Sequence, residues 1–400
     1  EELFRLMQGR RAAKQGNESH AFWDTQPVPK IGTQVEEYGP LVHQTVDDIR
    51  TDPYGMPTGF GWDEIDVTDN GQANEVYMLL TENYVEDDDN MFRFDYSTEF
   101  LEWALTPPGY SKDLHLGVRH NKTKKLMAFI SGIPADMRVN QETTRMVEIN
   151  FLCVHKKLRS KRLAPMLIKE ITRRVNLLGV FQAVYTAGVV LPKPIAACRY
   201  YHRSLDPKKL IEIGFSRLQP RMTMTRTVRL FKMKEEPNIP GIRPMEPRDT
   251  AEARVLLNDY LSKFQLAPIL TQGEFDHQLL PREGVIDSYV VEDADGKITD
   301  ICSFYHLPST VIGNPKHNKL NAAYSFYNVA TSVPFKLLME DALILAKQKS
   351  IDVFNALNIM DNDEFLKHLK FGIGDGNLQY YLYNWKCPDM EPPQIGLVLL

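Results

Sequence analysis

The sequence predicts an α/β protein made of two related halves, and three observations carry that prediction. Residues Met146 to Arg174 change period midway. Val147, Ile149 and Phe151 alternate with Glu148 and Asn150, as in a half-buried strand, whereas Leu163, Met166, Leu167, Ile171 and Val175 recur at helical spacing. The order of elements around this stretch then repeats, and Ile65 and Ile242, like Val147 and Tyr324, are both 177 positions apart, which suggests an internal duplication. Finally, 400 residues with 43% hydrophobic content suffice for two cores or one large duplicated one.

Taken in order, residues 1–20 predict a helical arm or a frayed end. Phe22 and Trp23 stand before Pro27 and Pro29, aromatic anchors at the head of a proline-stiffened extended run. From Trp62 the pattern reads strand (WDEIDV), helix (NEVYMLLTENYV) and hairpin (HLGVRHNKTKKLMAFISGIPA). The central strand and its helix come next, with Ser160 as the expected N-cap, followed by the buried strand VFQAVYTAGVV. Residues 226–241, with EEPNIPG near their end, predict a linker. The second pass starts at Ile242 and ends after FGIGDGN, a glycine-rich string without Walker spacing that predicts a tight turn with close backbone approach.

Between the central strand and its helix, Lys156, Lys157, Arg159, Lys161 and Arg162 crowd five cations where a helix dipole is already positive. A bound phosphate or pyrophosphate resolves that conflict, and a solvated charge run is the alternative. The second half has Ala330-Thr331-Ser332-Val333-Pro334 at the equivalent bend, without a cation. A net charge of −5 argues against a nucleic-acid binder. The four cysteines, Cys153, Cys198, Cys302 and Cys387, form no C-x-x-C pair, so neither a metal site nor a disulfide framework is expected, and reduced thiols in the cytoplasm are. No apolar run reaches the length of a bilayer span, no signal peptide is visible, and no heptad advertises an oligomer, so a monomer without stable membrane insertion is expected. The chain opens at Glu1 without a methionine, so an upstream segment is expected.

Glu86, Asp87, Asp88 and Asp89 sit beside Tyr84, Phe92, Phe94 and Tyr96. This cluster reads either as a solvated acidic face or as a peptide groove, because the glycine and spacing of a calcium loop are absent. No nucleophile elbow is present, and Cys153 lies inside a strand without a cue of activation. Direct attack by an acceptor amine needs only an oxyanion site, a base and positioning.

Strand, basic bend and helix in this order resemble the CoA-pyrophosphate site of GNAT-type acyl-CoA N-acyltransferases. FWDTQPVPK, NYVEDDDNMFRFDY, EINFLCVHKKLRSKRLAP, YTAGVVLPKP, CRYYHRSL and FGIGDGNLQYYLYNW go further. From about Phe22 to Leu400 the chain resembles the eukaryotic N-myristoyltransferases. The resemblance implies two fused GNAT-like halves with a mixed, largely continuous twisted sheet and pseudo-twofold internal duplication. It divides the chain into an arm over the acyl-CoA site (1–61), an acyl-CoA-binding half (62–225), the linker (226–241) and a half (242–400) that shapes the peptide site and supplies the C-terminal carboxylate. It also implies myristoyl transfer from myristoyl-CoA, a co-substrate, with no permanently bound cofactor. The acceptor is then the terminal glycine amine of Gly-x-x-x-Ser/Thr proteins.

Residue by residue, the resemblance places Phe22, Trp23, Phe151, Leu152, Cys153 and Val154 against the acyl-CoA, and Arg159, Ser160, Lys161, Arg162, Leu163 and Ala164 on its pyrophosphate. The N–H groups of Phe151 and Leu152 form the oxyanion site, the main-chain carboxylate of Leu400 is the base, and Thr186 stands by the acceptor amine. Tyr84, Asp87, Asp88, Asp89, Phe92, Phe94, Tyr96, Asn150, Gly188, Tyr200, His202, Tyr305, Ser309, Asp375 and Gly376 surround the peptide. Two alternatives stay open: a short-chain CoA-dependent N-acyltransferase, and a non-catalytic binder of basic peptides.

Overall fold

The structure, a computed structural model, describes residues 20–84 and 91–400. The expected N-terminal helical arm and the acids Glu86 to Asp89 lie outside the described residues. The first half runs β1 (Phe60–Glu64), α1 (Asn70–Asn83), β2 (Phe92–Phe94), α2 (Thr98–Leu105), β3 (His115–His120), β4 (Leu126–Val139), β5 (Glu142–Val154), α3 (Leu163–Leu177), β6 (Gln182–Ala187) and β7 (Ala196–Ser204). Two short helices follow, α4 (Pro207–Glu212) and α5 (Met224–Leu230). The second half begins with β8 (Arg243–Pro244), α6 (Thr250–Leu261), β9 (Leu266–Pro268), α7 (Gln272–Leu279), β10 (Ile286–Glu292) and β11 (Ile298–His306). It continues with β12 (Ser309–Val311), β13 (Lys319–Leu320), β14 (Ala322–Ser325), β15 (Val329–Ala330), α8 (Phe335–Gln348), β16 (Val353–Leu357), α9 (Asp363–Leu366) and β17 (Gly372–Tyr383).

One mixed sheet passes through both halves in the order β1-β3-β4-β5-β6-β17-β7-β16-β14-β11-β10-β8, with β9 added to β4 and β15 to β11. The duplication read from spacing is physical. Val147 pairs in parallel with Ala183 across β5 and β6, and Tyr324 pairs in parallel with Asn355 across β14 and β16. A parallel pair needs a crossover, which α3 supplies in one half and α8 in the other. The halves also trade their last strands, since β17 lies between β6 and β7 while β7 lies beside β16. Each half therefore completes its sheet with chain from the other.

Local chemistry sets the element ends. The Asp69 carboxylate accepts the Gln72 N–H at the start of α1, and the Ser97 hydroxyl accepts the Phe100 N–H at the start of α2. Helix α3 is pinned to the arm through Glu170, which is fully buried. Its carboxylate accepts bonds from Arg173, Arg174 and the Tyr54 N–H, and Arg173 in turn donates to the Thr51 carbonyl at 2.9 Å. The arm is thereby held across the helix that carries the basic bend.

Two expectations need correction. Ser160 is not the N-cap of α3: residues 156–161 form a 3-10 turn, and Arg162, at φ +54°, is the last residue before the helix. The 3-10 turn takes in Ser160 and runs to Lys161, so the cap of the α-helix lies two residues beyond the expected one. The segment expected to link the halves, residues 226–241, opens on the end of helix α5, whose run Met224 to Leu230 contains no glycine or proline to break it. FGIGDGN is not a tight turn but the bulged start of β17, whose pairing with β7 shifts register between Ile373 and Asn377. The close approach expected of its glycines is present, since a Cβ on Gly374 would lie 2.3 Å from His202 Nε2 and 3.0 Å from the Tyr200 carbonyl.

The cation-free bend of the second half is filled from within. The Asp300 carboxylate accepts the N–H groups of Thr331 and Ser332 at 2.9 and 3.1 Å and the hydroxyls of Thr299 and Ser332. A fixed carboxylate thus satisfies the donors that an anion would otherwise take. Only the first half keeps this position open to a ligand.

Candidate active site

The centre of the site is an irregularity in β5. Cys153 faces Phe129 and Asn150 faces Ser131, so Phe151 and Leu152 together oppose the single residue Ile130, a β-bulge. Phe151 has φ +55° although it is not glycine, a conformation that costs about 1–3 kcal/mol. It persists because the ring is 2% exposed and wedged against Tyr84 and Tyr96, at centroid distances of 6.2 and 5.3 Å. The inversion sends Phe151 into the core under α1 and leaves Leu152 with the core under α3. The pairing of β5 with β6 runs only to Glu148 and Val184. Beyond that pair the two strands part, so the bulge borders a gap in the sheet.

The gap opens on a cavity of about 800 Å³, its mouth included. Trp23, Ile130, Val147, Ile149, Ile168, Ile171, Val175 and Leu191 give it an apolar wall, and Asn150, Phe151, Leu152 and Thr186 line it at the bulge. Trp23 is buried and stacks on Tyr185 at 5.9 Å, Tyr185 stacks on Tyr381 at 4.9 Å, and Phe22 packs edge-on against Trp23 at 5.3 Å. Such a lined slot suits an alkyl chain. Cys153 is fully buried, and burial pushes its thiol up to about 12, so it is no thiolate nucleophile.

At the other end of the bulge the chain enters the basic turn. No side chain caps α3, no acid lies in its first turn, and Ser160, Lys161 and Arg162 are exposed while Leu163 and Ala164 are buried. Pro165 falls where a helix needs no N–H partner, so it ends nothing. Arg159 is drawn toward the core instead, and its guanidinium donates to the Asn83 carbonyl at 3.0 Å. Free helix donors and two exposed cations therefore sit together where the strand delivers them.

On the opposite face the aromatic residues expected around a peptide form one connected group. Phe94 packs on Tyr96 at 5.9 Å, Tyr305 stacks on Tyr324 at 5.2 Å, and Tyr200 stands edge-on to Tyr324 at 6.1 Å. Ser309 pairs with Phe94 in the small sheet β13-β12-β2. Phe92 and His202 both pack on Phe215. Burial holds the His202 imidazole below its usual range, and Asn355 fixes the ring. Asp375 and Gly376 lie exposed on the β17 bulge, and Gly188 faces the same bulge near the Asn377 carbonyl. Asp87, Asp88 and Asp89 fall outside the described residues.

The tail after β17 returns into the core. Ile395, Gly396, Leu397 and Leu399 are buried. The Tyr380 hydroxyl donates to the Leu397 carbonyl at 2.7 Å, the Tyr327 hydroxyl accepts the Val398 N–H at 3.2 Å, and Gly396 N–H bonds the Leu266 carbonyl at 2.7 Å. Leu400 ends on the wall of a second cavity, about 630 Å³ with its mouth, shared with Glu148, Trp103, Tyr327 and Glu274. Sequence reasoning missed Glu148 and Asp300. The sequence signal for Glu148 was weak, because a charged residue on the polar side of a half-buried strand is ordinary. Among the described residues no cluster of histidine, cysteine or carboxylate suits a metal ion, and no helix is long and apolar enough to cross a membrane.

The family profile of the myristoyl-CoA:protein N-myristoyltransferase N-terminal domain matches residues 41–198, and that of its C-terminal domain matches residues 212–398. Glycylpeptide N-tetradecanoyltransferase 2 of Danio rerio is 58% identical over 380 residues, 95% of this chain and 77% of the relative. The Bos taurus protein of the same name is 56% identical over 400 residues, 100% of this chain and 80% of the relative. A crystal structure of Saccharomyces cerevisiae N-myristoyltransferase with bound myristoyl-CoA superposes with a TM-score of 0.93 at 42% identity, covering 96% of this chain and all of that one.

Proposed function

The chain belongs to the myristoyl-CoA:protein N-myristoyltransferase family, and from that premise we propose how its residues carry out the transfer. The pyrophosphate of myristoyl-CoA sits at the start of α3, on the N–H groups of Leu163 and Ala164 with Lys161 and Arg162 around it. The acyl chain fills the cavity behind Trp23, where each buried methylene contributes about 0.8 kcal/mol. The thioester then lies at the bulge, and its carbonyl oxygen takes the N–H groups of Phe151 and Leu152. What supports this most is the bulge itself, a strained break in pairing between an apolar slot and a basic helix start.

The acceptor is the N-terminal glycine amine of a Gly-x-x-x-Ser/Thr peptide, lying along Tyr96, Tyr200, Tyr305 and Ser309. The amine, with a pKa near ~8, is charged at neutral pH and must lose a proton before it attacks. We assign that proton to the main-chain carboxylate of Leu400, held by the buried tail, with Thr186 and Asn150 orienting the amine. Each oxyanion donor contributes about 3 kcal/mol to lowering the barrier. The reaction is placed in the cytoplasm, where four unpaired cysteines stay reduced.

The test is thiol release from acyl-CoAs of increasing length with one glycine-initial peptide. Release should rise steeply up to the fourteen-carbon chain. Equal use of acetyl-CoA overturns the long-chain reading, and peptide binding without thiol release overturns catalysis.

A further inference from the structure

Glu148 has no role in the chemistry above, yet its position is unusual. It is the last residue of β5 still paired with β6, so it stands at the fork where the sheet opens. Strand alternation turns Val147 and Ile149 into the acyl cavity and Glu148 to the other face, into the cavity whose wall includes Leu400. Among the described residues the half-buried Glu148 makes no side-chain hydrogen bond or ion pair, although its carboxyl lies on the cavity wall. The charged or titratable groups on its cavity are Glu274 from α7, Asp136 from β4, Tyr327 from the segment after β14, and the chain end at Leu400. Asp136 is paired with Arg145 at 3.0 Å, Glu274 is tied into its helix cap by Thr271, and no lysine, arginine or histidine lines the cavity.

The stoichiometry of the reaction creates a need at this place. An ammonium loses two protons when it becomes an amide nitrogen. The N–C bond forms as the C–S bond breaks, one proton ends on the departing thiolate to give CoASH, and the other must leave the enzyme in every turnover. A terminal carboxylate that has accepted it is spent until it is emptied.

We propose that Glu148 empties the base: it takes the proton from the Leu400 carboxyl through water in the shared cavity and passes it to bulk solvent at the mouth beside Asp136 and Glu274. This deepens the proposed mechanism and rests on Leu400 being the base. Burial, and then the nearby Glu274 carboxylate, push the Glu148 carboxyl up to about 7, which lies below the amine and close to neutral pH and suits a group that must both accept and release a proton. Glu148 acts through Leu400 and is therefore a positioning residue rather than a catalytic one.

The experiment compares Glu148→Gln, Glu148→Asp and a chain lacking Leu400, each measured for kcat between pH 6 and 9 and for myristoyl-CoA affinity. Glu148→Gln should lower kcat by ten-fold or more, lose the inflection near pH 7, regain activity with a small added base such as formate, and bind myristoyl-CoA within two-fold of the parent. Glu148→Asp should keep the inflection with an intermediate kcat. If Glu148→Gln keeps the parent's kcat and pH profile while loss of Leu400 abolishes turnover, the relay is wrong and the base stands. If loss of Leu400 leaves turnover intact, the base reading fails and the relay with it. Equal damage from Gln and Asp, without rescue by formate, marks Glu148 as structural and overturns the proposal.

Discussion

Gly396→Ala is the sharpest test of the tail. Gly396 is buried, and a Cβ placed on it would lie 2.8 Å from Phe264 Cβ, 2.9 Å from Cδ2 and 3.0 Å from Cγ. Rotating the Phe264 ring does not help, because the nearest atom is the first of its side chain. Phe264 itself is 4% exposed and packed on Tyr260 at 5.1 Å, so it has nowhere to go. Carbon atoms rest about 3.5–4.0 Å apart, so the tail must retreat by about 0.8 Å. Overpacking of this kind costs about 1–3 kcal/mol of stability. A displacement near 1 Å in a catalytic group costs up to about 100-fold in rate. The expected result is a kcat lowered 30- to 100-fold with myristoyl-CoA affinity unchanged, since the acyl cavity lies across the sheet. Thiol release under saturating substrates and calorimetric titration with myristoyl-CoA measure the two quantities. Gly55→Ala, at a position with nothing within 4 Å, is the control and should leave both unchanged. A folded Gly396→Ala protein with the parent's kcat would show that turnover does not depend on where the tail sits.

Reversing Lys161 and Arg162 to glutamate should weaken myristoyl-CoA binding about 10- to 100-fold and peptide binding little, with the loss shrinking at high salt; equal weakening of both ligands would place the pyrophosphate elsewhere. Asp300→Ala should destabilise the fold by about 3–5 kcal/mol in denaturant titration, because it strands two backbone donors and two hydroxyls around a fully buried position. A loss under 1 kcal/mol would mean that the bend does not need its internal anion. Glu148 makes stability depend on pH. Its folded value of about 7 lies above the ordinary 4.5, so its contribution is fully present below about pH 4.5 and is lost as pH rises to about 7, roughly 2–3 kcal/mol in all. Chemical denaturation of the parent and of Glu148→Gln at pH 5 and 8 should differ by that amount, and parallel curves would contradict the burial that raises the carboxyl.

What the sequence by itself determined is everything governed by local period and repetition. The switch from alternating to helical spacing at Met146–Arg174 located β5, the basic turn and α3. The common interval of 177 matched Val147 to Tyr324, which occupy equivalent parallel pairs. Cation crowding at a helix start stands out in one dimension, because neighbours in sequence are neighbours in space there. The boundary that failed, at Ser160, turned on a 3-10 turn, whose energy differs too little from the alternatives for local pattern to decide.

Only the tertiary structure decided what depends on partners far along the chain. Phe151 adopts φ +55° because Tyr84 and Tyr96 hold its ring, and nothing in the string INFLC requires a bulge. The exchange of β7 and β17 between halves pairs residues nearly two hundred positions apart, for example Gln379 with Ala187. The meeting of Glu148 with Leu400 joins residues more than two hundred and fifty positions apart across one cavity. Period and composition report which residues seek burial, but the choice of what they are buried against belongs to the packed sheet, where a strand pair that ends early leaves an apolar slot beside the bulge.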